Sequence, residues 1–265
     1  MRTLLCLCLG VATIFSNLIA SGQKSASEAQ KDVHALEIIN DAIQSMQNGV
    51  PLPNIQLASS EGTMLLTHEN GEKKEVKSFQ YLDKYANGSW SFTHEIKDSS
   101  HVEKISADAK GVTVTFDGNS HPSRGVHRET ERAPFYFPSV ILQSAVNDPS
   151  MVILNCGLET IGGEKLEHVR LIPTIQHLQD IDGTQDWFFN PTSHIPSEIN
   201  YHIIFGHDSD KKHYRRIILT DIKMFHGVAV ATSIAIYRDN VPMEVIGINT
   251  VSFSNAQLEQ ASGAK

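Results

Sequence analysis

From Pro51 onward the chain is cut into short alternating segments by dipeptides that tolerate positive φ, and this punctuation constrains the fold more than any other feature. Asn70-Gly71, Asn87-Gly88, Asp117-Gly118 and Gly162-Gly163 are the pairs that close two-residue hairpins. The segments they bound are rich in β-branched residues, with Val112-Thr113-Val114-Thr115-Phe116 the cleanest alternation. The pattern predicts strands over 55–69, 72–85, 89–97, 101–107 and 111–117, then over 151–160, 164–175, 185–189, 196–206, 213–224, 228–238 and 242–253. Each is expected to pair antiparallel with its sequence neighbour. Phe225-His226-Gly227-Val228 reads as a two-residue turn joining two of them.

Two segments break the alternation. Asp32 to Gly49 carries Val33, Leu36, Ile39, Ile43 and Met46 at three- and four-residue spacing, with Ile38 and Ala42 widening the stripe. That spacing predicts a helix with one face for burial, Asp32 as N-cap and Gly49 as the stop. Phe135 to Val146 predicts a second helix, with Pro138 at an early position and Asp148-Pro149 beyond its end. No fixed-period repeat and no Pro- or Gly-rich linker divides the chain, so a single α+β domain over 33–258 is the simplest organisation, with 259–265 as a tail.

The first residues read as a targeting segment. Arg2, the apolar run from Leu4 to Ile19 and the small residues Ala20-Ser21-Gly22 have the layout of a secretory signal peptide over 1–22, with cleavage after Gly22 or, second, after Ala26. Ser16 and Asn17 interrupt the run and leave it shorter than the roughly 20 apolar residues of a membrane span. Residues 23–32 read as a flexible lead. The expected product is exported, to the periplasm or beyond it. It has no lipid anchor, because Cys6 and Cys8 lie away from the small-residue exit. Cys156 alone remains in the mature chain and cannot form an internal disulfide. Without Arg2 the 22 basic residues become 21 against 30 acidic ones, a net −9. With no basic run longer than a pair, nucleic acid is not an expected partner.

Three stretches carry a family resemblance. Ala35-Leu-Glu-Ile-Ile-Asn-Asp-Ala-Ile-Gln-Ser-Met46 resembles the opening helix of a family of uncharacterised secreted bacterial proteins with the LolA/LolB/LppX lipoprotein-carrier fold. Trp187-Phe-Phe-Asn-Pro-Thr-Ser-His-Ile-Pro-Ser-Glu-Ile-Asn-Tyr201 is similar to their strand, turn and return strand. Leu219-Thr-Asp-Ile-Lys-Met-Phe-His-Gly-Val-Ala-Val-Ala231 is similar to a later hairpin. The resemblance implies a strongly curved, incompletely closed antiparallel sheet, a half-barrel, with the N-terminal and mid-chain helices covering its concave side. It also implies an arginine inside the barrel, which none of the three stretches assigns to a position.

Chemical signals are sparse. His207-Asp-Ser-Asp-Lys-Lys-His213 is the densest group among the 13 histidines, but it lacks the paired spacing of a zinc site and has the composition of a solvated loop. No metal or cofactor is expected. His121, His127, His194 and His226 sit beside turns and read as surface groups, and Cys156 reads as a buried, inert thiol in an apolar strand. No Gly-x-Ser-x-Gly, His-Glu-x-x-His, phosphate loop or dinucleotide fingerprint occurs, so no catalytic residue is assigned.

Phe135-Tyr136-Phe137, with Ile141 one turn on, either packs the core under the second helix or lines a cavity between helix and sheet. The cavity reading makes these four the candidate ligand-binding residues. The expected function is then a non-enzymatic carrier or binding protein for a lipid or acylated molecule. A secreted adaptor that binds another envelope protein, its interior filled by its own side chains, is the alternative, and an envelope hydrolase the third.

Overall fold

The structure, a computed structural model, describes residues 30–48, 56–68, 70–84, 90–108, 111–122, 135–173, 184–204 and 212–254. The expected signal peptide, most of the lead and the tail lie outside them.

Helix α1 (Val33–Gln47) starts where its cap dictates, the Asp32 carboxylate accepting from the Ala35 amide at 2.9 Å. It stops one residue earlier than expected, at Asn48 in the left-handed region (φ 34°). The buried stripe is Ala35, Ile38, Ile39, Ala42, Ile43 and Met46, rotated from the one expected. Val33 is 73% exposed and Leu36 only partly covered, because the small Ala35 and Ala42 let the backbone approach its neighbours along that line. Just ahead of the helix, at the end of the expected lead, Gln30 and Asp32 exchange backbone hydrogen bonds with Ile153 on the edge of the sheet.

Thirteen strands form one antiparallel sheet: β1 (Leu57–Thr67), β2 (Lys73–Lys84), β3 (Trp90–Lys97), β4 (Val102–Asp108), β5 (Gly111–Phe116), β6 (Asn119–Pro122), β7 (Met151–Ile161), β8 (Glu164–Pro173), β9 (Gln185–Phe189), β10 (Pro196–Ile204), β11 (Lys212–Phe225), β12 (Val228–Arg238) and β13 (Val241–Ser254). Their order is β6-β5-β4-β3-β2-β1-β13-β12-β11-β10-β9-β8-β7. The chain begins in the middle, meanders out to one edge, passes to the opposite edge and meanders back, so every pairing but β1–β13 is between sequence neighbours. β6 and β7 do not pair, and the sheet stays open, a curved half-barrel rather than a closed barrel. Helix α2 (Pro138–Asn147) lies in the crossing between the two edges. It packs on α1, which in turn sits on β7, β8 and β12, so the two helices cover the concave face.

Two of the four turn dipeptides close two-residue hairpins as expected; Asn70-Gly71 lies instead in a longer connection between Thr67 and Lys73 with only Gly71 at positive φ (82°), and Asn87-Gly88 lies outside the described residues. Asp117-Gly118 and Gly162-Gly163 both take positive φ at each residue, as does His226-Gly227, at 50° and 86° between Phe225 and its partner Val228. Gly227→Val is therefore expected to destabilise the protein by at least ~1 kcal/mol through backbone strain alone. Thermal denaturation checks this, and a variant with unchanged midpoint would place 225–228 outside a strained turn.

Candidate functional site

The four candidate residues open α2. Pro138 occupies the first turn, where its missing amide costs nothing, and Phe137 as N-cap leaves the Val140 amide to its carbonyl at 3.1 Å. Tyr136 and Phe137 are wholly buried, whereas Phe135 and Ile141 are half-buried at the margin of the same core. Phe135 stacks on Tyr201 of β10 with ring centres 6.4 Å apart, and Phe137 lies 5.7 Å from Phe253 of β13. Between them the Ala231 amide of β12 donates to the Tyr136 carbonyl at 3.0 Å. The aromatic turn is thus fastened across β10 to β13 at the centre of the concave face.

Two hydroxyls in this turn have no hydrogen-bond partner among the described residues: Tyr136 Oη and Ser139 Oγ, both fully buried. Burial, with the negative charge of Asp83 on β2 added, drives the Tyr136 phenol far above its ordinary pKa. Tyr136 is a neutral donor at every physiological pH.

The sheet beneath carries a polar stripe. Along β2 the buried residues alternate as Val76, Ser78, Gln80, Leu82, so a serine and a glutamine share the apolar face. Gln80 pairs across to Ser60 on β1 and to His94 on β3, and all three are at most 8% exposed. His94 Nε2 is 2.8 Å from Ser78 Oγ. Burial pushes the His94 imidazole down to about 4, so it is neutral at neutral pH. Since the folded value lies below the unfolded ~6.5, the unfolded chain takes up the proton first as pH falls. The fold is expected to lose on the order of 2–3 kcal/mol between pH ~6.5 and ~4 from this group. His94→Gln should flatten that limb of a plot of stability against pH, and a profile unchanged by the substitution would contradict His94's burial.

Toward the other end of the same face lies Arg215, 6% exposed on β11 in phase with Ile217 and Leu219, opposite Tyr201 on one side and Arg238 on the other. It is the buried arginine of the described barrel interior, a position no sequence motif marked.

The opposite face of β7–β9 holds a different constellation. His168, 5% exposed in its side chain, contacts Glu159 through Nδ1 and Asp186 through Nε2, both at 2.7 Å, and stacks on Phe188. Arg170 also donates to Asp186, at 2.7 Å. Burial opposes the charged imidazole, but the two carboxylates prevail and hold its pKa above the ordinary value. With both nitrogens donating, it is an imidazolium clamp across three strands.

Several expectations need correction. Cys156 is exposed, because a bulge between Asn155 and Gly157 turns the end of the edge strand β7 outward. Desolvation pushes its thiol pKa above the ordinary value. His194 is half-buried in the 190–195 turn, whereas His226, its ring edge-on to Phe253, is exposed as expected. His127 and most of the 207–213 loop lie outside the described residues, and the side chain of His121 does too. The histidines buried in the structure, His94 and His168, carried no turn or motif signal. An in-phase polar residue in an alternating strand was the available cue for His94, and for Ser78 and Gln80.

An open antiparallel meander whose concave face is covered by two helices, with an aromatic turn seated at its centre, is a LolA-like fold. No protein-family model and no curated protein matches the sequence. Solved structures do match by shape. A DUF1329 family protein from Desulfovibrio piger aligns over 86% of this chain and 98% of its own with a TM-score of 0.57 at 10% identity. A LolA superfamily protein from Nitrosomonas europaea aligns over 83% and 94% with a TM-score of 0.57 at 10% identity. A domain described as outer membrane lipoprotein-sorting, from Vibrio parahaemolyticus, aligns over 84% and 94% with a TM-score of 0.52 at 9% identity. At such identities the likeness establishes the fold and nothing finer. No helix of the described residues is long and apolar enough to cross a membrane.

Proposed function

We propose that this chain is an exported, non-enzymatic carrier or binding protein that shelters a lipid or the acyl chain of an acylated molecule on the concave side of its half-barrel. In this reading residues 1–22 are removed on export, and the mature domain works in the periplasm or outside the cell without a lipid anchor. The observation that carries the reading is the aromatic turn Phe135–Phe137 fastened across the centre of the open sheet, in a fold of the LolA type. Phe135 and Ile141, half-buried at its margin, form the mouth, and an acyl chain enters by displacing them from the core they cover. About ten buried methylenes contribute on the order of 8 kcal/mol gross, enough to offset that repacking and the cost of association.

Titration of the delipidated protein with a fluorescent long-chain acyl probe tests the proposal. Saturable binding that Phe135→Ala weakens about fivefold or more is the expected result, a loss of roughly 1 kcal/mol. A delipidated protein that takes up no probe overturns it.

A second reading, a secreted adaptor for another envelope protein, is favoured by a specific observation. The interior is packed with the chain's own rings, Trp187, Tyr136, Phe137 and Phe189, while Cys156 to Thr160 on the edge strand β7 are exposed, with Leu158 64% so. That edge offers the backbone groups a partner strand would pair with. Probe uptake separates the two, because a filled interior takes up none.

A further inference from the structure

The sheet is not joined along its whole height. β12 and β13 pair from Arg238–Val241 as far as Ser233–Gly247, and there their ladder ends. β12 continues from Thr232 to Val228 paired with β11, while β13 continues from Ile248 to Ser254 paired with β1. The two strands part as a fork with its apex at Ser233 and Gly247. The chain is bent on both sides of that apex. On β13 the bulge opposite Glu61 and Gly62 leaves Asn249 as the extra residue. On β11 Asp221 takes φ 53° between the Thr220–Ser233 and Ile222–Ala231 pairs, and the Thr232 hydroxyl holds it there by donating to its carboxylate at 2.9 Å. A left-handed aspartate inside a strand is strained and persists only where its surroundings dictate it, so the fork is built into the fold.

The aromatic turn fills the fork. The Ala231 amide, which in a continuous sheet would face β13, donates to the Tyr136 carbonyl at 3.0 Å. On the other side the Phe137 ring lies 5.7 Å from that of Phe253. The walls are apolar: Val228 and Val230 on β12, Ile248, Val251 and Phe253 on β13. A methylene chain is slimmer than the backbone and rings that occupy this space. The occupant is also poorly satisfied where it sits, because Tyr136 Oη and Ser139 Oγ are wholly buried without partners among the described residues. Each gives up the hydrogen bonds it would make to water, so withdrawal of the turn returns two groups to solvent and offsets part of the cost of uncovering its rings. We infer that the fork between β12 and β13 is the portal through which the acyl chain passes into the half-barrel, and that Phe135–Phe137 is its removable plug. This inference rests on the carrier reading and adds the route, which runs through the sheet rather than past the open β6 and β7 edges.

Stopped-flow uptake of the fluorescent long-chain acyl probe tests it, with a bulky polyethylene glycol maleimide attached at one of two places. Exposed Cys156 puts the group on the β7 edge, at the open side of the sheet. Ser252→Cys in a Cys156→Ser background puts it at an exposed position of β13 beside the wide end of the fork. The Ser252→Cys conjugate is expected to take up probe about tenfold more slowly than the same variant without the group, and the Cys156 conjugate at the rate of the unmodified protein. Tyr136→Phe, without any conjugate, should slow uptake about fivefold, because a plug relieved of an unpaired hydroxyl seats more firmly. Its thermal midpoint should be unchanged or higher, whereas a merely damaged plug would lower the midpoint and speed uptake. Uptake that the group at position 252 does not slow, or that both conjugates slow equally, overturns the portal and leaves the carrier reading standing. A rate unchanged or raised by Tyr136→Phe overturns the plug. Absence of probe uptake in the wild type overturns the carrier reading itself.

Discussion

Gly62→Ala is expected to destabilise the protein by about 3–5 kcal/mol, at or beyond the upper end of what overpacking costs. Gly62 sits where β1 and β13 come together around a bulge: Glu61 pairs with Thr250 and Gly62 with Ile248, leaving Asn249 as the extra residue. A methyl group on Gly62 would lie 1.8 Å from the Gly247 carbonyl oxygen and 2.9 Å from the Ile248 Cα. Both obstacles are backbone, which can yield only by breaking the ladder that joins the two meanders. The matched control is Gly247→Ala on the facing strand. There the new methyl meets nothing closer than Thr63 Oγ1 at 3.6 Å, an ordinary contact, and the expected change is within ~1 kcal/mol. Chemical denaturation of both variants checks the contrast, and equal losses would contradict the register.

The second large effect belongs to α1. Ile39 is fully buried between the helix and the sheet, while Gln44 is exposed on the far side. Ile39→Ala should cost about 3–4 kcal/mol, the transfer term plus the cavity left behind, and Gln44→Ala should be nearly neutral. Comparable thermal shifts for the two would mean that the helix does not lie on the concave face in the described orientation.

What the sequence revealed and concealed follows from how local each interaction is. Hairpins were legible because their turn residues announce positive φ, and eleven of the twelve strand pairings join neighbours along the chain. The remaining pairing, β1 with β13, closes nearly the whole length of the domain, and no local pattern encodes it. β6 went unread although the Asp117-Gly118 turn before it was visible, since Asn119-Ser-His-Pro122 has no apolar alternation. The stripe of α1 was legible to within one helical position. Its rotation toward Ala35 and Ala42 depends on how closely the sheet approaches, which periodicity does not report. Cys156 was misplaced because a single-residue bulge inverts what alternation implies. At the candidate site the aromatic turn was visible as a cluster of rings beside a helix start. The polar band was not, because Ser60, Gln80 and His94 come from three strands and meet only through register.

The pH behaviour follows from the two buried histidines and has opposite signs. His94 costs stability as pH falls through its window toward about 4, whereas the His168 clamp contributes stability below the unfolded ~6.5 that is lost as pH rises through its raised folded value. One histidine therefore penalises acid and the other penalises base. A protein built this way is most stable between the two titrations.

The account's central claim is that the concave face holds an acyl chain. Mass spectrometry of the organic extract from protein purified out of its native host, under conditions that do not strip lipid, tests it most directly. The account predicts an acylated molecule at close to one per chain, depleted in a Phe135→Ala preparation that folds normally. An extract without lipid at that stoichiometry, from protein that also refuses an acyl probe, would contradict it.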